Sequence, residues 1–338
     1  MKILILGANG FIGSHLSEAI LAQTDWEVYA LDLTADKITD CLTNERFHFL
    51  QGDMTVEKDW IAEHIQQCDV VLPLAAIATP ATYVQDPLRI FELDFEANLN
   101  IIRQCVKYQT RIIFPSTSEV YGMCPDIEFD EEESHLVTGP IHKERWIYSA
   151  SKQLLDRVIY AYGKHHNLQY SLFRPFNWYG PKLDDIFNPK PGGSRVLTQF
   201  IGNILRGEDI MLVGGGEQKR CFMHIEDGVA ALIKIIQNKE GNATQRIFNI
   251  GNPVENISIR TLAELLLKLI KTYPAYTDVA SKTKLVDVTA EKYFGTGYQD
   301  VTLRVPAIER AEKYLGWKPS VNLENGLRQT LDFYLQTA

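Results

Sequence analysis

Long apolar runs are missing from this chain. No stretch approaches the roughly 20 apolar residues needed to cross a bilayer, and Lys2 leads straight into the strand-like Ile3–Leu6 rather than into a signal peptide. A soluble, cytoplasmic protein is expected, with no membrane partner. Positive charge is also short: 34 Lys and Arg against 43 Asp and Glu give a formal net charge of −9. No global field exists to gather polyanions, so nucleic acid is not an expected partner. The five cysteines show no paired spacing of the zinc or thioredoxin kind, which leaves both a metal site and a disulfide framework without support; they read as reduced and structural. The eight histidines include no i,i+4 pair with an intervening acid, and His165-His166 falls where a helix is expected to end, on solvent. Repeats and low-complexity tracts are absent too, and the one acid cluster, Asp130–Glu133, reads as a solvated loop. With 45% hydrophobic residues in 338, disordered and fibrous classes are excluded, and one large or two modest domains can share a core.

What is present is a rhythm. The runs Lys2–Leu6, Glu27–Leu33, Phe47–Leu50, Asp69–Ala75 and Arg111–Ser116 read as strands, separated by longer helical patterns. The fourth run is almost continuously apolar, as a strand buried on both sides requires, although Pro73 is awkward in a central strand. Gln169–Arg174 gives a sixth strand. Beyond it Pro175, Gly180, Pro181, Pro189, Pro191, Gly192 and Gly193 mark an irregular stretch where the chain leaves the sheet. Helical patterns at Ser194–Arg206, Ile225–Gln237 and Ser258–Lys271 and a strand at Arg246–Ile250 follow. The expected fold class is α/β. A Rossmann-type doubly wound parallel sheet takes residues 1–175, with return elements from about 225–250, and a smaller C-terminal α/β substrate-binding domain is drawn mainly from 176–338.

The first strand runs into Gly7-Ala8-Asn9-Gly10-Phe11-Ile12-Gly13, and Ser14–Leu21 continues with helical spacing. Glycines on a strand-to-helix turn let backbone N–H groups approach a pyrophosphate, with the helix N-terminus adding partial positive charge. Gly7, Asn9, Gly10, Phe11, Ile12 and Gly13 are therefore candidate dinucleotide contacts. Asp32, at the end of the second strand, can accept hydrogen bonds from a ribose diol and would repel a 2′-phosphate, which favours NAD over NADP. Asp53 and Met54 after the third strand can face the adenine, with a turn role as the alternative for Asp53. Ala75, closing the fourth strand, completes the candidate cofactor set.

Glu144–Gly163 reads as one helix, with apolar residues at three- and four-residue steps and Gly163 as its cap. Tyr148 and Lys152 lie one turn apart on one face of it. An ordinary tyrosine, with a pKa of about 10, is a poor base at neutral pH. A neighbouring ammonium and a cationic nicotinamide both favour the phenolate, so Tyr148 can take the proton of a sugar hydroxyl as hydride leaves for NAD. The fifth strand ends in Pro115-Ser116-Thr117-Ser118-Glu119-Val120-Tyr121-Gly122. This places Thr117 or Ser118 at the carboxyl edge of the sheet, where a hydroxyl can share the substrate oxygen with Tyr148.

The glycine loop, the Ser116–Gly122 segment, Tyr148-Ser149-Ala150-Ser151-Lys152 and Arg174-Pro175-Phe176-Asn177 together resemble the extended short-chain dehydrogenases that act on nucleotide sugars. More narrowly, Arg145–Tyr148, Phe173–Trp178, Gln218–Phe222 and Gly297–Val301 look like the UDP-glucuronate dehydrogenase/decarboxylase branch found in bifunctional polymyxin-resistance proteins. The resemblance spans nearly the whole chain but includes no formyltransferase half. It implies NAD-dependent oxidation of the 4-hydroxyl of UDP-glucuronic acid, then loss of the carboxylate as CO2 to leave a UDP-4-keto-pentose. By matching motif it implies Glu119 and Arg304 beside the departing carboxylate and Ser118 in proton transfer. A diphosphate needs local cations in an acidic protein. Arg195, Lys219 and Arg220 are the candidates, with Asn177 near the diphosphate and Tyr298 near the sugar or base. The chain departs from that branch at Met223-His224, where Thr-Asp is usual, and at Pro191-Gly192-Gly193.

Four other readings stay open. Returning the hydride would give UDP-xylose. A 4,6-dehydratase normally carries Asp-Glu after the threonine, where this chain has Ser118-Glu119, and a 4-epimerase needs no paired carboxylate and arginine. A catalytically silent nucleotide-binding module would have no need of the intact Ser/Tyr/Lys set. The resemblance also implies a homodimer, with the helices around Leu88–Tyr108 and Glu144–Gly163 forming its seam.

Overall fold

The computed structural model describes residues 1–187, 195–294, 301 and 303–336. Its strands are β1 Lys2–Leu6, β2 Glu27–Asp32, β3 Phe47–Gln51, β4 Val70–Pro73, β5 Arg111–Pro115, β6 Tyr170–Pro175, β7 Trp178–Tyr179, β8 Ile210–Val213, β9 Lys219–Cys221, β10 Met223–His224, β11 Arg246–Ile250, β12 Asn256–Ser258 and β13 Leu285–Val288. Its helices are α1 Phe11–Gln23, α2 Lys58–Gln67, α3 Pro80–Gln85, α4 Pro87–Ile90, α5 Asn98–Tyr108, α6 Trp146–His166, α7 Val196–Leu205, α8 Ile225–Gln237, α9 Ile259–Ile270, α10 Thr277–Lys282, α11 Ala290–Phe294 and α12 Leu323–Gln336. A π-helical turn over Phe91–Ala97 joins α4 to α5.

Seven strands form one parallel sheet in the order β11-β6-β5-β4-β1-β2-β3. The order reverses beside β1, and the crevice at such a reversal, outside the carboxyl ends of the strands, is where open α/β sheets bind ligands. Ile3, Leu4, Ile5 and Leu6 are all fully buried, because helices cover both faces and leave no polar side to β1. Pro73 is tolerated because the register between β4 and β5 ends at Val71↔Ile112; the proline lies past that rung and removes no bond there. One core joins β1 and β2 to α8 and β11, while a second, built from α7, α9 and α12, sits beside the sheet. No helix among the described residues is long and apolar enough to cross a membrane.

Two local expectations need correction. Gly163 does not cap α6, which runs on to His166 and ends at left-handed Asn167; the glycine is there because a Cβ would lie 2.4 Å from the Tyr170 ring. The acid cluster is not wholly solvated either. Glu131 is buried and accepts from the Asn249 N–H at 2.7 Å, and burial pushes its carboxyl up to about 7. His165 and His166 do lie on solvent, and all five cysteines are buried thiols.

Candidate active site

The turn after β1 has no room for side chains. Gly7 has φ +90, and a Cβ on it would lie 2.5 Å from the Ala75 nitrogen; one on Gly13 would lie 2.3 Å from the Gly7 carbonyl. Helix α1 then follows Gly10, its extended N-cap residue, with no side-chain cap and no acid in its first turn. Uncapped N–H groups at a helix start suit an anion, so this loop fits the pyrophosphate of a dinucleotide. Asp32 faces it, accepting from the Asn9 and Leu33 N–H groups at 2.7 Å each. Asn9 in turn donates to Thr34 and Asp36 and accepts from the Lys37 N–H, which fixes the loop that follows β2. Phe11 and Ile12 open α1 and pack on the core. Asp53 makes a local turn, with one oxygen accepting from both the N–H and the hydroxyl of Thr55. Met54 is buried beside it and lines an open cavity of about 590 Å³ together with Lys58, Arg89, Ala97 and Ile101.

Past β5 the chain turns through Thr117, whose hydroxyl accepts from the Glu119 N–H at 3.2 Å. Thr117 and Ser118 are both buried. Helix α6 brings Tyr148 beside Thr117, which hydrogen-bonds its phenol, and α3 stacks Tyr83 on the Tyr148 ring at 4.6 Å. Lys152 is 1% exposed; it donates to the Pro115 carbonyl at 3.0 Å, and its ammonium lies 6.0 Å from the centre of the Tyr148 ring. In the chain alone the ammonium does not prevail as the sequence suggests. Burial, reinforced by the Asp94 charge, pushes the Tyr148 phenol above its ordinary value, so Tyr148 rests protonated until a further positive charge enters the site.

Glu119 occupies the corner next to this pair. Arg145, which precedes α6, and Arg304 each bond one of its oxygens, and both arginines are buried. Burial alone would raise the Glu119 carboxyl; Arg304 and Arg145, with Arg220 further off, reverse that and hold it at about 2. Glu119 is therefore a permanent carboxylate at neutral pH and cannot serve as an acid. Arg145 was not singled out from the sequence by role, although it opens the Arg-Trp-Ile-Tyr segment; Tyr83 carried no signal at all.

The remaining candidates are more scattered. Arg195 is held by Asp184 at 2.6 Å. Arg220 is buried, donating to the Lys219 carbonyl at 2.8 Å, while Lys219 is exposed. Asn177 takes a left-handed turn, φ +42, and donates to the Cys221 carbonyl. Tyr298 and the Pro191-Gly192-Gly193 departure lie outside the described residues. The other departure, His224, is a core residue, 1% exposed and edge-on to Tyr179 at 5.5 Å.

Residues 3–251 match the model of the NAD dependent epimerase/dehydratase family. Among solved structures, the chain is similar to the PbgP3 protein from Burkholderia pseudomallei, with 54% identity, 98% of this chain and 96% of that chain covered, and a TM-score of 0.90. It is similar to Pal from Bacillus thuringiensis at 26% identity and a TM-score of 0.82, with both chains covered in full. A UDP-glucuronic acid 4-epimerase from Bacillus cereus, solved with UDP-glucuronic acid and NAD, shares the fold at 24% identity and a TM-score of 0.82, again over both whole chains. With the family model covering most of its length, and a glycine turn with Asp32 beside it that fits a dinucleotide, the chain belongs to the NAD dependent epimerase/dehydratase family and takes NAD as its cofactor.

Proposed function

We propose that this enzyme oxidises the 4-hydroxyl of UDP-glucuronic acid and then decarboxylates it, giving a UDP-4-keto-pentose, CO2 and NADH. The observation that carries this reading is the pair of buried arginines, Arg145 and Arg304, gathered around Glu119 beside Thr117 and Tyr148. A guanidinium fork takes a carboxylate in preference to a neutral hydroxymethyl group, and a substrate acid is what distinguishes a glucuronate from a glucose. Bound NAD supplies the acceptor for the hydride at C4 and a positive ring. Tyr148 takes the hydroxyl proton, with Thr117 aligning the phenol. Oxidation makes the sugar a β-keto acid, so the C5–C6 bond can break, the carboxyl carbon leaving as CO2 and its bonding pair forming an enolate across C4 and C5. Protonated Tyr148 hydrogen-bonds that enolate oxygen. Ser118, beside Glu119, assists proton delivery to C5.

Lys219, Arg195, Arg220, Asn177 and Tyr298 are assigned to the UDP moiety, and residues 176–338 mainly to holding it. Leu88 on α4, Ile141, and Leu154 and Tyr160 on α6 are exposed apolar residues; a second copy packed there would cover them, as in a homodimer. A cytoplasmic site of action goes with these small molecules. The test is to mix protein, NAD and UDP-glucuronic acid. NADH formed with CO2 supports the reading, CO2 without NADH indicates return of the hydride and UDP-xylose, and neither product with this sugar refutes it.

A further inference from the structure

Lys152 sits in a dry place for an ammonium. It is 1% exposed, lies 4.8 Å from the centre of the Phe114 ring and has one carbonyl, that of Pro115, as its hydrogen-bond acceptor. A buried lysine without a counter-charge drops by up to about 3–5 pKa units, enough to lose its proton near neutrality. Two carboxylates stand close enough to matter. Asp156, one turn further along α6, is engaged by Arg174 at 3.1 Å and by the Ser116 hydroxyl at 2.8 Å. Asp94 is different. It is fully buried, its Oδ2 accepts from the Ile77 N–H at 3.2 Å, and its Oδ1 makes no hydrogen bond and lies 3.9 Å from the Lys152 ammonium.

The backbone explains how an acid comes to be there. Asp94 lies in the π-helical turn Phe91–Ala97, whose wider winding loosens the carbonyls; Asn98 donates from its side chain to two of them, Leu93 at 3.1 Å and Asp94 at 3.3 Å. Such turns interrupt α-helices at functional sites more often than elsewhere. Through Ile77, the same carboxylate also ties the loop that follows β4, which carries Ala75, to the floor of the site.

We infer that Asp94 is a positioning residue of the oxidation pair: its carboxylate is the counter-charge that keeps Lys152 an ammonium in its buried seat beside Tyr148. The same charge opposes ionisation of the phenol itself. The inference rests on Tyr148 and Lys152 being that pair, not on which sugar is oxidised. The groups facing Asp94 are consistent with it. They are Lys152 and Tyr148 from α6 and Tyr83 from α3; of these only Lys152 is cationic, and it is the charge that most lowers the Asp94 carboxyl against the burial that raises it to about 6. For Lys152, burial lowers the pKa and Asp94 is the largest influence restoring it.

The test needs no sugar. Lysine labelled with carbon-13 at Cε is introduced into the NAD-bound protein, the Lys152 signal is identified by its loss in Lys152→Arg, and its titration is followed by NMR. In Asp94→Asn the Lys152 midpoint should fall by about one to three units, and Asp94→Glu should return it toward wild type. A midpoint that ignores Asp94→Asn would overturn the inference. If that variant does not fold, the wild-type Lys152 signal should itself step as Asp94 ionises, near pH 6, and a signal without that step overturns the inference equally. Failure of the UDP-glucuronate reading would show separately, as wild-type protein that makes neither NADH nor CO2 from that sugar.

Discussion

Replacing Arg145 by Met removes one of the two guanidiniums on Glu119 while keeping a long, apolar stem against Trp146, over whose ring the guanidinium lies at 4.7 Å. Glu119 would rise from about 2 by about one to three units on losing one cationic neighbour, which still leaves it ionised at pH 7.5. Any loss at that pH therefore comes from the missing guanidinium and not from a protonated Glu119. A hydrogen bond to a charged group contributes about 1.5–3 kcal/mol, so affinity for UDP-glucuronic acid should drop about 10- to 150-fold. Affinity for UDP, which has no sugar acid, should stay within about twofold. Calorimetry on the NAD-bound protein, in a Tyr148→Phe background to stop turnover, reads both numbers. Equal losses for the two ligands, or none for UDP-glucuronic acid, would refute the assignment of Arg145 and its corner to the substrate carboxylate.

Tyr148→Phe alone should lower kcat by about 10²–10⁴ with NAD binding kept, measured by NADH formation and by calorimetry. Gly13→Ala places a Cβ 2.3 Å from the Gly7 carbonyl; a stability loss of about 1–3 kcal/mol and weaker NAD binding are expected in urea unfolding with and without cofactor. Burial pushes the His224 imidazole down to about 4, Asp227 opposing and His15 assisting, so between that value and its unfolded 6.5 the unfolded chain binds the extra proton and stability falls as pH falls. Relative to His224→Gln, wild type should lose about 2–3 kcal/mol from pH 6.5 to pH 4, and parallel urea midpoints across that range would contradict this. Leu154→Arg should convert a dimer to monomer by sedimentation; a wild-type monomer would remove the basis for the dimer.

The glycine turn, Asp32 and the Tyr148/Lys152 pair were legible because each is a local pattern, set by a strand end or by one turn of helix. The parallel sheet was legible from the alternation of strand and helix patterns, whereas the order of its seven strands came only with the fold. Tertiary contacts were not legible in this way. Gly163 looked like a helix stop, but the Tyr170 ring rather than a cap explains it. Glu131 sat in a run of acids that composition marks as solvated, and only the fold brings its carboxylate to the Asn249 N–H. Arg145 and Arg304 are far apart in sequence and meet only at Glu119, and Asp94 faces Lys152 because a π-helical turn changes which way that helix presents its residues.

The most direct measurement uses UDP-glucuronic acid labelled with carbon-13 at C6, turned over with NAD. The account predicts that the label leaves entirely as CO2, mole for mole with NADH, while the UDP-bound product keeps five sugar carbons and a ketone at C4. Label retained in a UDP-hexuronic acid with its C4 configuration inverted would mean that this site epimerises rather than decarboxylates, and would contradict it.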